Sequence, residues 1–265
     1  MIKYVMIPED GDSLEDAALA FPLGIGLKNK VVYADLKTSP HLLVAGNDGT
    51  EKTAFLKTIV LSMAERYSPD SLKFVLINPE TREFGALSGL PHLFMPPAET
   101  VPDAIKGLQS VIDEMEKRYD MLEDGGYMNI NRYNEDHKEK LPYIVVAADG
   151  ISVFDEDTQF LIRRVTMKSR AVGIHVIISV LARDCKLIER LIKANFETRA
   201  AFKVDDAKQS IAIIGEKGAE KLDGGGDMLF LKTTCDEPGR GNALFVGQNA
   251  ADTVKRSAGK WKSDT

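Results

Sequence analysis

Short apolar runs alternate with stretches of helical period along most of the chain. Apolar runs of about four to eight residues, bounded by turn residues, are typical of buried strands. Runs of this kind predict strands at residues 31–36, 42–45, 73–78, 143–148, 175–180 and 199–204. A weaker pattern at residues 92–95 is consistent with one more short strand.

Helical periodicity fills the segments between these strands. Apolar residues at positions i, i+3, i+4 and i+7 mark one face of an amphipathic helix. The longest such pattern runs from Val101 to Leu122 and stops at Gly125 and Gly126. Shorter patterns predict a helix that begins near Lys52 and helices at residues 156–171, 186–193 and 206–214. The polar stretch 129–140 predicts a loop.

Strands that alternate with helices indicate an α/β fold, with a mainly parallel sheet and helices on both faces. Two closely spaced apolar runs, residues 228–231 and 243–246, predict paired strands that form an antiparallel edge near the C-terminus. Residues 1–30 contain Pro8, Pro22 and several glycines, which interrupt any periodicity, so an irregular lead-in or linker is expected there. Residues 31–265 are then expected to form one domain.

Composition narrows the function classes. The 265 residues are 44% hydrophobic and 28% charged, which suits one large α/β domain with a buried core. A net charge of −6 argues against a surface specialised for nucleic acid, because phosphate binding depends on clustered Lys and Arg. The two cysteines lack the spacing of a disulfide framework or zinc site, which favours a reducing compartment. With neither a signal-peptide pattern nor a long apolar run, a soluble fragment is expected.

The segment 41–53 carries the main candidate chemistry, because an apolar strand breaks at Gly46 and a helical pattern starts near Lys52. Phosphate-binding loops follow the pattern G-x-x-x-x-G-K-[ST], in which backbone N–H groups and the lysine hold phosphates and the hydroxyl helps hold Mg²⁺. Gly46, Lys52 and Thr53 fit this pattern, but Glu51 replaces the second glycine. On these residues alone, a glycine-containing turn between strand and helix is an equal alternative. The candidate nucleotide-binding residues are Gly46, Asn47, Asp48, Gly49, Thr50, Glu51, Lys52 and Thr53.

A second motif lies at the end of the strand predicted at residues 143–148, which runs into Asp149. In P-loop proteins an aspartate at this place helps to hold Mg²⁺, and a following glutamate activates the attacking water. Thr53 and Asp149 are therefore the candidate Mg²⁺ residues. Gly150 follows Asp149, so the position of the base carries no side chain and Asp149 is interpreted as a vestigial magnesium carboxylate.

Ordered blocks of sequence then resemble the FtsK/SpoIIIE family of RecA-like motor ATPases. The blocks are residues 40–46, 89–93, 114–119, 133–134, 141–146, 173–175, 191–195 and 226–229. The resemblance covers most of the chain from about residue 40 to residue 246. It implies a RecA-like P-loop NTPase fold.

The departures from the family pattern fall at positions that matter for chemistry. Besides Glu51 and Gly150, Leu181 stands where the family has a polar sensor glutamine, and residues 209–211 read Gln-Ser-Ile instead of Asp-Ser-Arg. Such incomplete motifs resemble the downstream ATPase modules of EssC and EccC, the membrane-anchored coupling proteins of type VII secretion.

This resemblance implies a degenerate module that recognises substrates or regulates protein export, with weak or no ATP hydrolysis. Its implied partners are adjacent ATPase modules of the same chain and WXG100-type secreted substrates, bound through their C-terminal signals. The resemblance also implies a location at the cytoplasmic face of the bacterial membrane, with the membrane anchor outside this fragment. The fragment itself is expected to contact neither the membrane nor nucleic acid. The alternative is an FtsK-like DNA translocase motor.

ATP with Mg²⁺ is expected to bind weakly or not at all, and whether the chain is an enzyme is left open. From the sequence, Glu51→Gly is expected to improve ATP binding without restoring turnover. Adding Gly150→Glu is expected to recover a trace of turnover.

Overall fold

The computed structural model describes residues 19–26, 29–49, 51–193, 195–233, 235–245 and 250–262. Its strands are β1 Ala20–Ile25, β2 Val31–Asp35, β3 His41–Gly46, β4 Leu72–Ile77, β5 Tyr143–Ala148, β6 Ile174–Leu181, β7 Thr198–Ala201, β8 Asp227–Leu231 and β9 Gly239–Asn242. Its α-helices are α1 Glu51–Arg66, α2 Val101–Asp124, α3 Ile130–Asp136, α4 Glu156–Lys168, α5 Cys185–Ile192, α6 Ala207–Ile214 and α7 Ala250–Lys262.

The strands form a single sheet in the order β2-β1-β9-β8-β7-β3-β6-β5-β4. Strands β7, β3, β6, β5 and β4 are parallel, whereas β8, β9, β1 and β2 continue the sheet through antiparallel pairings. The predicted α/β class, with an antiparallel edge near the C-terminus, is confirmed.

The last strand is not where the sequence predicts it. The prediction of a strand at residues 243–246 is wrong, because β9 lies at Gly239–Asn242, and residue 246 is outside the described residues. β9 reads Gly-Arg-Gly-Asn and has no apolar run, so its pairing with β8 depends on backbone hydrogen bonds. A Cβ on Gly241 would lie 2.8 Å from the carbonyl oxygen of Ile25, so the close approach of β1 favours glycine there.

The prediction that residues 1–30 are irregular is wrong for β1. This strand pairs with β2 from Ala20↔Asp35 to Ile25↔Val31, with an irregularity between Pro22 and Gly24. A bulge can accommodate proline in a sheet, which is why the strand forms despite a sequence that looks broken. Residues 1–18 of the predicted lead-in lie outside the described residues.

Three smaller predictions also need correction. The predicted loop 129–140 contains α3, where the side chain of Asn129 caps the helix by accepting from the backbone N–H of Arg132 at 3.1 Å. Residues 92–95 contribute only an isolated bridge between Phe74 and Leu93. The helix predicted at residues 156–171 changes after Lys168 into a 3₁₀ helix.

The sheet is buried on both faces, and successive strand residues point to opposite sides. Leu42, Phe74 and Val145 pack on the side of α1 and α7, whereas residues one position further along each strand pack on the side of α2, α4, α5 and α6. None of the helices in the described ranges is both long and apolar enough to cross a bilayer.

Two charged or titratable clusters are buried away from the carboxyl ends of the strands. Arg118 on α2 is 1% exposed, donates to Glu114 at 2.8 Å and donates to the carbonyl oxygen of Val172 at 2.9 Å. Burial lowers the pKa of His41 to about 3 and the pKa of His175 to about 4. Both imidazoles are therefore neutral at neutral pH.

Candidate nucleotide site

The predicted phosphate-binding loop leaves the sheet at the carboxyl end of β3, in the middle of the parallel strands. The carbonyl oxygen of Gly46 accepts from the backbone N–H of Ala182 at 2.9 Å, and the backbone N–H of Asn47 donates to the carbonyl oxygen of Lys203 at 3.0 Å. These bonds attach the start of the loop to the segments that follow β6 and β7. The predicted arrangement of strand, loop and helix is confirmed.

The loop itself carries polar side chains with partners outside it. The side-chain amide of Asn47 donates to Asp205 at 2.7 Å, and the exposed carboxylate of Asp48 lies 3.7 Å from the guanidinium of Arg183. Gly49 has a φ of +150°, which side-chain-bearing residues rarely adopt. Thr50, one of the predicted nucleotide-binding residues, lies outside the described residues.

Glu51, which breaks the sequence pattern, begins α1 and faces a second glycine-rich segment. Its carboxylate accepts from the backbone N–H of Gly225 at 2.5 Å. A carboxylate thus stands at the helix N-terminus, where a phosphate would otherwise accept hydrogen bonds from backbone N–H groups.

Lys52 and Thr53 follow on the first turn of α1 and are both buried. The Lys52 amine donates to the carbonyl oxygen of Asn47, so it folds back on its own loop. Burial lowers the pKa of Lys52, and four surrounding carboxylates act in the opposite direction. These carboxylates belong to Asp149, Asp48, Glu51 and Glu80.

Asp149 lies directly after β5 and is 3% exposed. Its carboxylate accepts from the hydroxyl of Thr53 at 2.6 Å, from the side-chain amide of Asn78 at 2.9 Å and from the hydroxyl of Ser179. The structure therefore brings together the two residues predicted to hold Mg²⁺, although they are far apart in sequence. Three neutral polar donors therefore keep the buried carboxylate hydrogen-bonded.

The oxygen atoms of Thr53 and Asp149 fit the hard-ligand preference of Mg²⁺, which usually takes one or two carboxylates and keeps several waters. In the part of the chain that the structure describes, there is no group of three His, Cys, Asp or Glu side chains that could hold a metal. A magnesium ion here would therefore depend on water and nucleotide oxygens for its remaining ligands.

Three residues of the site were missed by sequence reasoning. Asn78, directly after β4, and Ser179, in β6, both donate to Asp149, and β4 and β6 are the two strands next to β5. Glu80 lies beside Gly150. Asn78 had a sequence signal, since it is a polar residue that directly follows a buried strand.

Leu181 is buried at the end of β6, opposite Gly46 of β3 in the parallel register. An apolar side chain at this place cannot accept or donate a hydrogen bond. The polar contact from β6 to the site comes instead from Ser179, two residues earlier on the same face. The backbone N–H of Gly150 also donates to the Ser179 hydroxyl, at 2.9 Å.

The fold resembles a known ATPase architecture. EssC (ATPases 2 and 3) from Geobacillus thermodenitrificans has a TM-score of 0.83 to this chain at 20% sequence identity, covering 94% of this chain and 50% of that one. At this identity the likeness concerns the fold, and it confirms the predicted RecA-like P-loop architecture.

Sequence comparison gives the family. DNA translocase SftA of Bacillus subtilis (strain 168) is 36% identical over 258 residues, covering 94% of this chain and 27% of SftA. DNA translocase SpoIIIE of the same organism is 35% identical over 253 residues, covering 90% of this chain and 32% of SpoIIIE. The chain thus spans less than a third of the length of either relative. A model described as the FtsK/SpoIIIE family matches residues 12–222, and the chain belongs to that family.

Proposed function

We propose that this chain is a degenerate FtsK/SpoIIIE-type ATPase module that binds Mg-ATP weakly and regulates other modules more than it drives movement. The observation that carries the proposal is Glu51, whose carboxylate stands at the N-terminus of α1 and accepts from Gly225. The anion-binding end of the helix therefore already has an anionic partner from the protein.

The electrostatics of the loop support weak binding. Lys52 is the cation that would meet the outer phosphates, and it is surrounded by carboxylates of Asp48, Glu51, Glu80 and Asp149. A nucleoside triphosphate brings several more negative charges into the same space. Magnesium, bound by Thr53 and Asp149, would offset part of this repulsion.

We place the module in an assembly of the DNA-translocase type. The support for this choice is the 36% identity to SftA over 258 residues, which extends across almost the whole chain. In such an assembly, the neighbouring modules would contact DNA and supply the force. This chain has a net charge of −6, so we expect little direct affinity for duplex DNA.

The second candidate is a regulatory module of a type VII secretion coupling protein, as the resemblance to EssC and EccC implies. Glu51, Gly150 and Leu181 favour it, because a module that recognises a substrate peptide does not need a complete hydrolytic site. Its partners would be adjacent ATPase modules and the helical C-terminal signals of WXG100-type substrates, at the cytoplasmic face of the membrane. Recognition of such a helix would require an apolar groove.

Calorimetry with Mg-ATP tests the shared part of the proposal. Weak binding that is lost in Lys52→Ala supports a degenerate nucleotide site. Turnover of about one per second or faster, abolished by Lys52→Ala, would contradict degeneracy, since that rate is within the ordinary enzyme range.

Two binding assays separate the candidate assemblies. Co-purification with an active FtsK/SpoIIIE motor supports the first candidate, and chemical-shift changes with a helical substrate peptide support the second. Direct duplex binding is measured between about 50 and about 200 mM salt, where phosphate contacts give a steep loss of affinity. Sub-micromolar binding with such a slope would contradict a regulatory module and indicate a DNA-gripping motor.

A further inference from the structure

Gly150 has no side chain and leaves a space beside Asp149, and in the structure Glu80 fills this space. A Cβ built on Gly150 would lie 2.6 Å from Glu80 Oε2 and 3.4 Å from Glu80 Cβ. Gly150 has a φ of +70°, in the left-handed region that favours glycine. A carboxylate from the turn after β4 therefore occupies the room beside Gly150, the residue that follows Asp149.

Short-range contacts fix the segment that carries Glu80. Asn78 follows β4 and donates to Asp149 at 2.9 Å, which sets the end of β4 beside the end of β5. The side-chain oxygen of Asn78 also accepts from the hydroxyl of Thr81 at 2.9 Å and from the backbone N–H of Glu83 at 2.6 Å. These bonds run from Asn78 to residues beyond Glu80 and so enclose it in the turn, which means that the residue that orients Asp149 also positions the backbone of Glu80.

The position suits a group that must take a proton from water. Glu80 is exposed, so water reaches its carboxylate. Its Oε2 atom lies 2.6 Å from the place of a Cβ on Gly150, the residue after the candidate Mg²⁺ residue Asp149, so the carboxylate faces the candidate site. A general base has to lie within hydrogen-bond reach of the water from which it takes the proton.

We infer that Glu80 is the general base of this site, in place of the residue that is missing after Asp149. The inference rests on the proposed function, because it requires ATP to bind at residues 46–53. In the reaction, the oxygen of a water forms a bond to the γ-phosphorus while Glu80 takes a proton from that water. The bond from the γ-phosphorus to the bridging oxygen breaks, and its electron pair leaves on ADP. The products are ADP and inorganic phosphate, and Glu80 returns the proton to solvent.

This assignment changes two expectations drawn from the sequence. Glu51→Gly should increase turnover as well as ATP binding, because a base is already present. Gly150→Glu should not help, because its Cβ would meet Glu80 and its backbone would be strained at a φ of +70°.

The experiment uses Glu51→Gly as the parent, since the parent must bind nucleotide for the base to be tested. Glu80→Gln is added to this parent, with Glu123→Gln as the matched control, because Glu123 is an exposed glutamate near the end of α2. Adding Lys52→Ala to the parent reveals any contaminating ATPase. Each variant is measured for ATPγS affinity, for affinity towards ADP with aluminium fluoride, and for turnover as a function of pH.

We expect Glu80→Gln to lower turnover about a hundredfold, within the range of general-base effects, and to leave ATPγS affinity within about twofold. Affinity for ADP with aluminium fluoride should fall, and the pH dependence of turnover should flatten. The Glu123→Gln control should match the parent in every measurement.

Three results would overturn the assignment, and they distinguish a failure of the base from a failure of the nucleotide function. If the parent binds ATPγS but does not turn over, or if Glu80→Gln turns over as fast as the parent, Glu80 is not the base although the nucleotide function stands. If no variant binds ATPγS, the proposed nucleotide function fails, and the base fails with it.

Discussion

Replacing Glu51 with glutamine isolates the effect of its charge on nucleotide binding. Glutamine has nearly the same size, and its amide oxygen can still accept from the backbone N–H of Gly225, which lies 2.5 Å from the carboxylate. The variant therefore keeps the contact between the two segments and removes one negative charge from the N-terminus of α1.

The size of the effect follows from the exposure of the side chain. Two unit charges about 4 Å apart interact with about 1 kcal/mol in water and about 4 kcal/mol at an effective dielectric constant near 20. Glu51 is half-buried, so the lower part of this range applies. A gain of about 1–2 kcal/mol corresponds to a Kd for Mg-ATP that is about five to thirty times lower.

Titration of a fluorescent ATP analogue with Mg²⁺ measures this gain for the native chain and for Glu51→Gln. The gain should shrink as salt is raised, because salt screens partly exposed charges. Glu123→Gln, which removes a charge from an exposed position on α2, should leave the Kd unchanged. If Glu51→Gln binds within about twofold of the native chain at low and high salt, the charge of Glu51 does not limit binding.

Three further predictions concern stability. Glu114→Ala leaves the buried guanidinium of Arg118 without its carboxylate partner. The free energy of unfolding, measured in urea, should therefore fall by about 3 kcal/mol or more, and a loss below about 1 kcal/mol would contradict this. Burial lowers the pKa values of His41 and His175, so the unfolded chain binds protons more readily than the folded chain. The melting temperature should therefore fall as the pH drops below about 6.5. A melting temperature that stays constant down to about pH 5 would refute this prediction. Gly150→Ala should lower the melting temperature through left-handed strain and contact with a neighbouring carboxylate, whereas an exposed alanine substitution elsewhere should not.

The parallel part of the sheet and the position of the phosphate loop could be predicted from the amino-acid sequence. The runs at residues 73–78 and 143–148 pair as β4 and β5, and the break at Gly46 leads into α1 as predicted. These features are readable because burial on both faces demands continuous apolar runs, and because the loop pattern is local in sequence.

The strands that lack a side-chain pattern could be located only in the folded chain. β9 has the sequence Gly-Arg-Gly-Asn and no apolar run, and the apolar residues of β1 are interrupted by Pro22 and Gly24, so neither has the regular pattern that marks a strand. Both exist because unpaired backbone groups of β8 and β2 are available to them in the sheet. Backbone hydrogen bonds carry no residue signature, so the sequence could not reveal them.

The residues around Asp149 likewise come together only in the folded chain. Asn78, Ser179 and Glu80 come from turns and strands far from Asp149 in sequence, and the strand order β6-β5-β4 brings them to one edge. Sequence reading identified the missing side chain at Gly150 but could not identify what fills its place. The carboxyl ends of parallel strands meet at one edge of the sheet. Which strands are neighbours there depends on how the helices pack on the sheet, and no local sequence pattern encodes that packing.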